Sequence, residues 1–219
     1  MPASLIRLLV FMILLGVLVA VVQIGLIQLT FEKLGLSARS AFLLLFTSLV
    51  GSSINMPLFS VRAEAEPPPM DPALLAFLRR ARLIVPGRTV VAVNVGGCVI
   101  PVAFSIYLMR HFPLTAYQIL LATAVVAAVS YTFSRPIGRV GIGMPALIAP
   151  FTAAITATAL GTESSAALAY VSGVLGVLIG ADILHMADIR RTGAYVASIG
   201  GAGTFDGIFL TGLLAVLLT

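Results

Sequence analysis

The sequence predicts an all-α protein, a polytopic membrane bundle of about seven transmembrane helices. Of its 219 residues, 60% are hydrophobic and only 10% are charged, whereas soluble domains carry about 25% charged residues. The mean hydropathy is +1.13. The apolar residues also come in runs of about 20, the length of helix that crosses a bilayer. These observations argue against a soluble enzyme and leave no room for a sizeable soluble domain.

Charge and cysteine content exclude several classes of partner and site. The net charge is +5, but the basic residues lie in short loops between apolar runs. Membrane topology and anionic lipid therefore explain them better than a nucleic acid does, and no nucleic-acid partner is predicted. The single cysteine, Cys98, lies inside an apolar run, so neither a disulfide framework nor a cysteine metal cluster is expected. The predicted partner is the lipid bilayer, no cofactor is predicted, and the oligomeric state stays open.

Residues 1–60 are predicted to hold the first two transmembrane helices, over about 5–29 and 40–59. The first apolar run exceeds the ~7 to 15 residues of a signal-peptide core, so we expect a retained anchor. The second run turns polar at GSSINMP, where Asn55 stands two residues before Pro57. Two interpretations are open there: local repair of a kinked helix, or a polar wall of a central cavity.

Residues 61–88 are predicted to form a cytoplasmic loop that contains a short amphipathic helix. The segment EAEPPPMDP is expected to be extended, because three consecutive prolines exclude a helix. Asp71 then has the position of an N-cap, with Pro72 as the first helical residue. The arginine-bearing helix that follows is expected to lie in the plane of the lipid headgroups.

Residues 89–219 are predicted to hold transmembrane helices three to seven. Their expected bounds are about 89–108, 114–133, 141–160, 166–189 and 196–218. The third helix carries Asn94 beside small residues, a pattern typical of close helix contact with a hydrogen-bonded amide. The fifth begins GIGMPALIAP, and prolines at 145 and 150 predict a distorted start. Such backbone is tolerated at membrane depth only where protein or a water-filled cavity satisfies it.

The sixth predicted helix has one face made of glycines. Gly173, Gly176 and Gly180 are spaced by three and four residues, so they share a face that suits tight packing against another helix. Asp182 lies ~200° around a straight helix from Gly180. The carboxylate is therefore expected to point away from the packing face.

The distribution of Lys and Arg predicts the orientation of a seven-helix protein. Of the 13 Lys and Arg residues, most fall on one side of the predicted bundle. That side holds Arg7, Arg62, Arg79, Arg80, Arg82, Arg88, Arg135, Arg139, Arg190 and Arg191, and the other holds Lys33, Arg39 and Arg110. Because positive charge collects on the cytoplasmic side, we expect the N-terminus inside and the C-terminus outside.

Two aspartates inside apolar runs, Asp182 and Asp206, are the candidate catalytic residues. A carboxylate in the membrane costs ~2.5 to 3.5 kcal/mol on insertion scales and therefore often marks a functional site. Ala194 lies twelve residues from each aspartate, so a turn there would bring both to a similar depth on adjacent helices. Gly201 and Gly203 come shortly before Asp206 and allow a substrate to approach the backbone closely.

Paired carboxylates in a low dielectric share a proton, since both cannot easily be charged. That arrangement suits an aspartyl protease, where one carboxylate activates water and the other protonates the scissile carbonyl. A proton or cation relay in a transporter, or two separate structural aspartates, remain open. A metal site is not predicted, because Asp182, His185 and Asp188 cannot all face one ion on a straight helix.

Two resemblances refine these expectations. The motifs NMP, NVGGCVIP, GMPALIAP, GADIL and GAGTFDGIFLTG together resemble a bacterial and archaeal family of uncharacterised membrane proteins. That resemblance implies a multi-pass protein of a prokaryotic cytoplasmic (inner) membrane. The segment GAGTFDGIFLTGLL is similar to the GxGD stretch of presenilin and signal peptide peptidase.

The second resemblance implies that Asp206 and Asp182 are the two catalytic aspartates. It also implies that the tripeptide Pro145, Ala146 and Leu147 stands beside the active site, as PAL does in those proteases. Three features depart from the pattern: Phe205 replaces the glycine before Asp206, Gly-Ala rather than Tyr precedes Asp182, and PAL precedes both aspartates in the chain.

The sequence as a whole predicts an intramembrane aspartyl protease that acts on transmembrane peptides. Its alternative is a proton- or cation-coupled transporter of small solutes that uses the same aspartates as a relay. The predicted substrate-binding residues are Pro145, Ala146, Leu147, Asn55, Asn94, Gly201 and Gly203.

Overall fold

The computed structural model of the chain describes residues 12, 24–65, 71, 73, 87–138, 141–161, 163–201 and 207–219. The described chain is mostly helical, as predicted, but it also contains five short strands that an all-α fold does not have. Most of the first predicted helix and the amphipathic helix after Asp71 lie outside the described residues. Asp71 itself accepts a hydrogen bond from the Ala73 N–H at 2.7 Å, the bond expected of an N-cap.

Seven α-helices are described. They are α1 (Ile24–Lys33 in its described part), α2 (Ala38–Gly51), α3 (Ile100–His111), α4 (Ala116–Phe133), α5 (Ile148–Ala159), α6 (Ser165–Val177) and α7 (Gly207–Leu218). Three shorter segments add to them: two π-helical segments, Val95–Val99 and Leu178–Ile183, and a 3-10 helix, Asp188–Arg191.

Two helical segments are long and apolar enough to cross a membrane: α4, and α6 together with its π-helical extension, over Ser165–Ile183. Helices α1 and α2 would make a third span if they act as one, although they are bent by 107° at their junction. The described residues therefore contain two or three candidate spans, which is the part of the predicted membrane bundle that the structure supports.

Local sequence explains where two of the helices begin. Thr115 and Gln118 form a reciprocal capping box at the start of α4, which satisfies two backbone donors that the first turn leaves free. Ser37 caps α2 by accepting a hydrogen bond from the Ser40 N–H at 3.2 Å. Both helices therefore start where the sequence supplies a side-chain acceptor.

The prediction of a second helix over 40–59 is wrong for the second half of that range. Helix α2 ends at Gly51, and residues Asn55–Arg62 form strand β1. Pro57 disfavours helical backbone at the residue before it and cannot donate a helical hydrogen bond. The polar stretch that ends the apolar run is therefore the turn from a helix into a strand.

The third and seventh predicted helices are also wrong at their starts. Strand β2 is Arg88–Asn94 and strand β5 is Val196–Ile199, and their β-branched residues favour extended backbone. The strand order is β1-β2-β5, with β2 antiparallel to β1 and parallel to β5. Asn55 pairs with Asn94 at one end of β1 and β2, so both asparagines lie at the same end of the sheet.

The fifth predicted helix starts later than expected. Strands β3 (Arg135–Ile137) and β4 (Gly141–Gly143) form an antiparallel pair between α4 and α5, and α5 begins only at Ile148. The prolines therefore produce the predicted irregular start, with Pro145 left before the helix and Pro150 within its first turn.

Two of the three glycines on the predicted face, Gly176 and Gly180, pack closely against α4, whereas Gly173 faces Thr211 of α7 and Ala153 of α5. A methyl group at Gly176 would lie 2.5 Å from the Val126 side chain, and one at Gly180 would overlap Ala127 and Ser130 of α4. Only a residue without a side chain permits this approach of two helices. Because the contact points advance in the same direction along both helices, α4 and α6 run parallel.

Candidate functional site

Asp182 lies in the π-helical segment that extends α6, and its side chain is half-buried. π-helical insertions within helices occur frequently at functional sites. The Asp182 Oδ2 atom accepts a hydrogen bond from the Gly200 N–H at 3.2 Å. The chain that leaves β5 therefore passes directly beside this carboxylate.

Asp182 lines a cavity of about 270 Å³ between three parts of the fold. The other lining residues are Val177 and Ala181 from α6 and its extension, Ile142, Gly143, Met144 and Ala146 from β4 and the approach to α5, and Ile208, Leu210, Thr211 and Leu214 from α7. Most of these side chains are apolar. The carboxylate consequently faces a space in which electrostatic interactions are strong.

The cavity reaches the outside of the helical bundle. Two of its lining residues, Ala146 and Leu210, are exposed on the surface. Leu147, next to Ala146 in the chain, is 56% exposed. The rim at this point is apolar, as expected of a surface that faces lipid.

The predicted PAL tripeptide stands at this rim. Ala146 lines the cavity together with Asp182, while the Pro145 carbonyl accepts a hydrogen bond from the Ile148 N–H at 3.3 Å at the start of α5. The structure thus brings one residue of the tripeptide beside the predicted catalytic Asp182. Gly176 and Gly180 lie against α4, whereas Asp182 lines the cavity.

Asn94 is fully buried and holds the ends of two strands together. Its Nδ2 atom donates to the Ser52 carbonyl at 2.6 Å and to Asn55 Oδ1 at 3.1 Å. Its Oδ1 atom accepts from the Gly97 N–H at 2.7 Å and so caps the π-helical segment before α3. Ser198 Oγ of β5 donates to the same Asn55 oxygen at 2.5 Å.

The two predicted asparagines do not line the cavity beside Asp182. They are connected to it through β5, since Ser198 bonds Asn55 and Gly200, two residues later, bonds Asp182. Sequence reasoning identified the asparagines but not Ser198, which carried no signal beyond its place in an apolar run. Gly200 was visible only as one of several flanking glycines.

Gly200 and Gly201 turn the chain after β5. Their φ angles are +83° and +82°, in the left-handed region that glycine adopts without strain. A methyl group on Gly200 would lie 2.7 Å from the Cys98 side chain, so the chain also crosses closely over the π-helical segment before α3. Both features require glycine at position 200.

Two of the predicted site residues, Gly203 and Asp206, lie outside the described residues. The description resumes with α7 at Gly207. Ile208, the second residue after Asp206 in the sequence, is buried and lines the cavity of Asp182.

His185 and Asp188 have partners of their own. His185 is buried, its Nδ1 atom is 3.0 Å from the Gly180 carbonyl, and its ring lies 4.7 Å from that of Tyr131. Asp188 pairs with Arg191 at 3.7 Å. In the part of the chain that the structure describes, no three His, Cys, Asp or Glu side chains are grouped as metal ligands.

Comparison with known proteins gives a family and nothing more specific. A family model described as a protein of unknown function (DUF1614) matches residues 49–218. No curated protein and no solved structure matches the chain. These comparisons agree with the resemblance to an uncharacterised family and lend no support to the resemblance to the GxGD proteases.

Proposed function

The chain belongs to the DUF1614 family, and we propose that it is an intramembrane aspartyl hydrolase that cleaves transmembrane peptides with Asp182 and Asp206. One observation carries the proposal: a half-buried carboxylate, Asp182, lines an apolar cavity that reaches the surface of the bundle. Ile208 of the same cavity stands two residues after the second aspartate in the sequence. Asp206 directly precedes α7 in the sequence, and α7 lines the cavity of Asp182.

The two carboxylates would divide the work of hydrolysis. The Gly200 N–H donates to Asp182 Oδ2 at 3.2 Å and orients that carboxyl group, so we assign Asp182 as the base and Asp206 as the acid. Asp182 takes a proton from water, the water oxygen attacks the scissile carbonyl carbon, and Asp206 protonates the carbonyl oxygen. The leaving nitrogen then takes the proton that Asp182 holds, the C–N bond breaks, and one hydroxyl of the diol returns its proton to Asp206, which restores both carboxyl groups.

The apolar rim supports a substrate that enters from the bilayer. A peptide bond inside a helix is shielded by its own hydrogen bonds, so the scissile segment has to become extended. Strand β5 ends directly before Gly200, and in the described sheet it pairs with β2 alone. An extended segment can add to such a strand edge through main-chain hydrogen bonds, which would hold it beside Asp182.

The proposal includes a seven-helix protein of a prokaryotic inner membrane, with its N-terminus inside and its C-terminus outside. The unequal distribution of Lys and Arg supports this orientation. The parallel run of α4 and α6 supports it too, because alternate spans of such a bundle point the same way. Arg135 and Arg190 follow the C-terminal ends of these two spans, as cytoplasmic residues would.

The second candidate is proton- or cation-coupled transport of a small solute. It is favoured by the interrupted backbone around Asp182, which lies in a π-helical segment opposite a strand that ends in two glycines. Irregular elements that meet inside a membrane protein are typical of transport sites. In that case Asp182 would bind the coupled proton or cation.

Cleavage of a transmembrane peptide by purified protein in phosphatidylcholine vesicles tests the first candidate. Asp182→Asn and Asp206→Asn should each abolish cleavage, while the matched control Asp188→Asn, which changes a carboxylate paired to Arg191, should leave it intact. Unaltered proteolysis in both site variants, together with a changed proton or solute flux in either, would establish the transporter instead. The proposal also fails if the wild-type protein cleaves no transmembrane peptide.

A further inference from the structure

A group of arginines lies at the end of the sheet away from the asparagines. Arg62 and Arg88 pair with each other across β1 and β2, and both are exposed. Arg88 Nη2 donates to the Ser60 carbonyl at 3.0 Å, which ties that side chain to the strand end. Like charges directly opposite on adjacent strands repel each other, so this pair favours a bound anion.

The 3-10 helix adds further cations to this end. The Glu64 N–H donates to the Arg190 carbonyl at 2.8 Å, which fixes the helix beside the end of β1. Strand β3, which starts with Arg135, contacts the same 3-10 helix. We call this end the arginine surface, defined by Arg62, Arg88, Arg135, Arg190 and Arg191.

The arginine surface keeps an excess of positive charge. Among the described residues, two carboxylates lie within it, Glu64 and Asp188, and both are near Arg191, at 4.0 Å and 3.7 Å. In the described part of the chain, the ion pairs at this surface are therefore Arg191 with Glu64 and Arg191 with Asp188. The remaining four arginines are exposed cations whose planar, forked guanidinium groups match the oxygens of a phosphate.

The position of the arginine surface indicates that a phosphate bound there would belong to a membrane lipid. Helices α4 and α6 run parallel, so their C-terminal ends lie on the same side of any membrane that they cross. Tyr131, Phe133 and Ile137 are about half exposed beside Arg135. Cations that border exposed apolar side chains lie at the height where lipid headgroups meet hydrocarbon.

We infer that the arginine surface binds the phosphate of an anionic phospholipid, whose acyl chains lie against the exposed end of α4. A zwitterionic lipid lacks the net negative charge that this surface attracts. Each basic residue close to an anionic surface changes the binding constant about fivefold. The inference is independent of the chemistry at Asp182 and does not rest on the proposed hydrolase.

The test uses the full chain purified in a neutral detergent and measures bound phosphatidylglycerol and phosphatidylcholine by native mass spectrometry. Wild-type protein should retain phosphatidylglycerol in preference to phosphatidylcholine. Arg62→Gln combined with Arg88→Gln should weaken phosphatidylglycerol binding roughly 20- to 30-fold, as two such charges predict. A matched pair, Arg39→Gln with Arg110→Gln, removes the same charge from α2 and α3 and should change binding little.

A second pair keeps the test informative if the first variant does not fold. Arg135→Gln with Arg190→Gln alters two exposed side chains, one on β3 and one on the 3-10 helix, and it should weaken binding to a similar extent. Equal binding of both lipids by the wild-type protein would overturn the inference. Equal weakening by the Arg39 and Arg110 control would also overturn it, because net charge alone would then explain the binding.

Discussion

Replacing Asn94 should cost more stability than any other single change in the polar network at the strand ends. In Asn94→Ala, the Ser52 carbonyl and the Gly97 N–H lose partners at 2.6 and 2.7 Å in a fully buried site. Each buried group left without a partner costs about 1 to 3 kcal/mol, so the free energy of unfolding should fall by about 2 to 6 kcal/mol.

Two further variants separate this cost from the loss of packing. Ser198→Ala removes one donor from Asn55 Oδ1, which still accepts from Asn94, and should cost only about 0.5 to 1.5 kcal/mol. Asn94→Asp preserves the shape of the side chain and the hydrogen bond from the Gly97 N–H. It replaces the Nδ2 donor by an oxygen, which then faces two acceptors, the Ser52 carbonyl and Asn55 Oδ1. It should therefore destabilise at least as much as Asn94→Ala.

Equilibrium unfolding in mixed detergent micelles, extrapolated to zero denaturant, measures these differences. The reasoning would be refuted if Asn94→Ala lowered the free energy of unfolding no more than Ser198→Ala does. It would also be refuted if Asn94→Asp were as stable as the wild-type protein, since the bonds from Nδ2 would then contribute nothing.

The remaining predictions concern helix packing and orientation. Gly180→Ala should destabilise by about 1 to 3 kcal/mol in the same unfolding experiment, because overpacking separates α4 from α6. Gly138→Ala, at a glycine with open space around it, is its control, and equal effects of the two would contradict the packing explanation. Reporter fusions should place the 61–88 segment in the cytoplasm and Thr219 outside. A cytoplasmic C-terminus would disprove either the number of spans or the orientation.

Several features of the fold could be predicted because they depend on local sequence. Glycines spaced by three and four residues along α6 and its extension permit close helix contact whatever the partner is, and two of them, Gly176 and Gly180, pack against α4. Asp182 lines the cavity, but it lies in a π-helical segment, where the angle calculated for a straight α-helix does not apply. Two prolines near the start of α5 were enough to predict irregular backbone there. The carboxylate itself was recognisable because charge is costly inside an apolar run.

The strands could not be predicted, because hydropathy over a window of membrane-spanning length does not distinguish an apolar strand from an apolar helix. Strands β2 and β5 lie within the stretches that the sequence assigns to the third and seventh helices. They become strands because each finds a partner far away in the chain. A strand's hydrogen bonds go to such partners, whereas a helix makes its own.

Composition and periodicity thus determined that the chain is an apolar, mostly helical protein with a candidate site carboxylate at position 182. Only the tertiary structure decided what surrounds that carboxylate. The hydrogen bond between Ser198 and Asn55 joins residues 143 positions apart in the chain. The hydrogen bond between Gly200 and Asp182 joins residues 18 positions apart. No periodic pattern encodes contacts of this kind, because they depend on how strands and helices pack after each has formed.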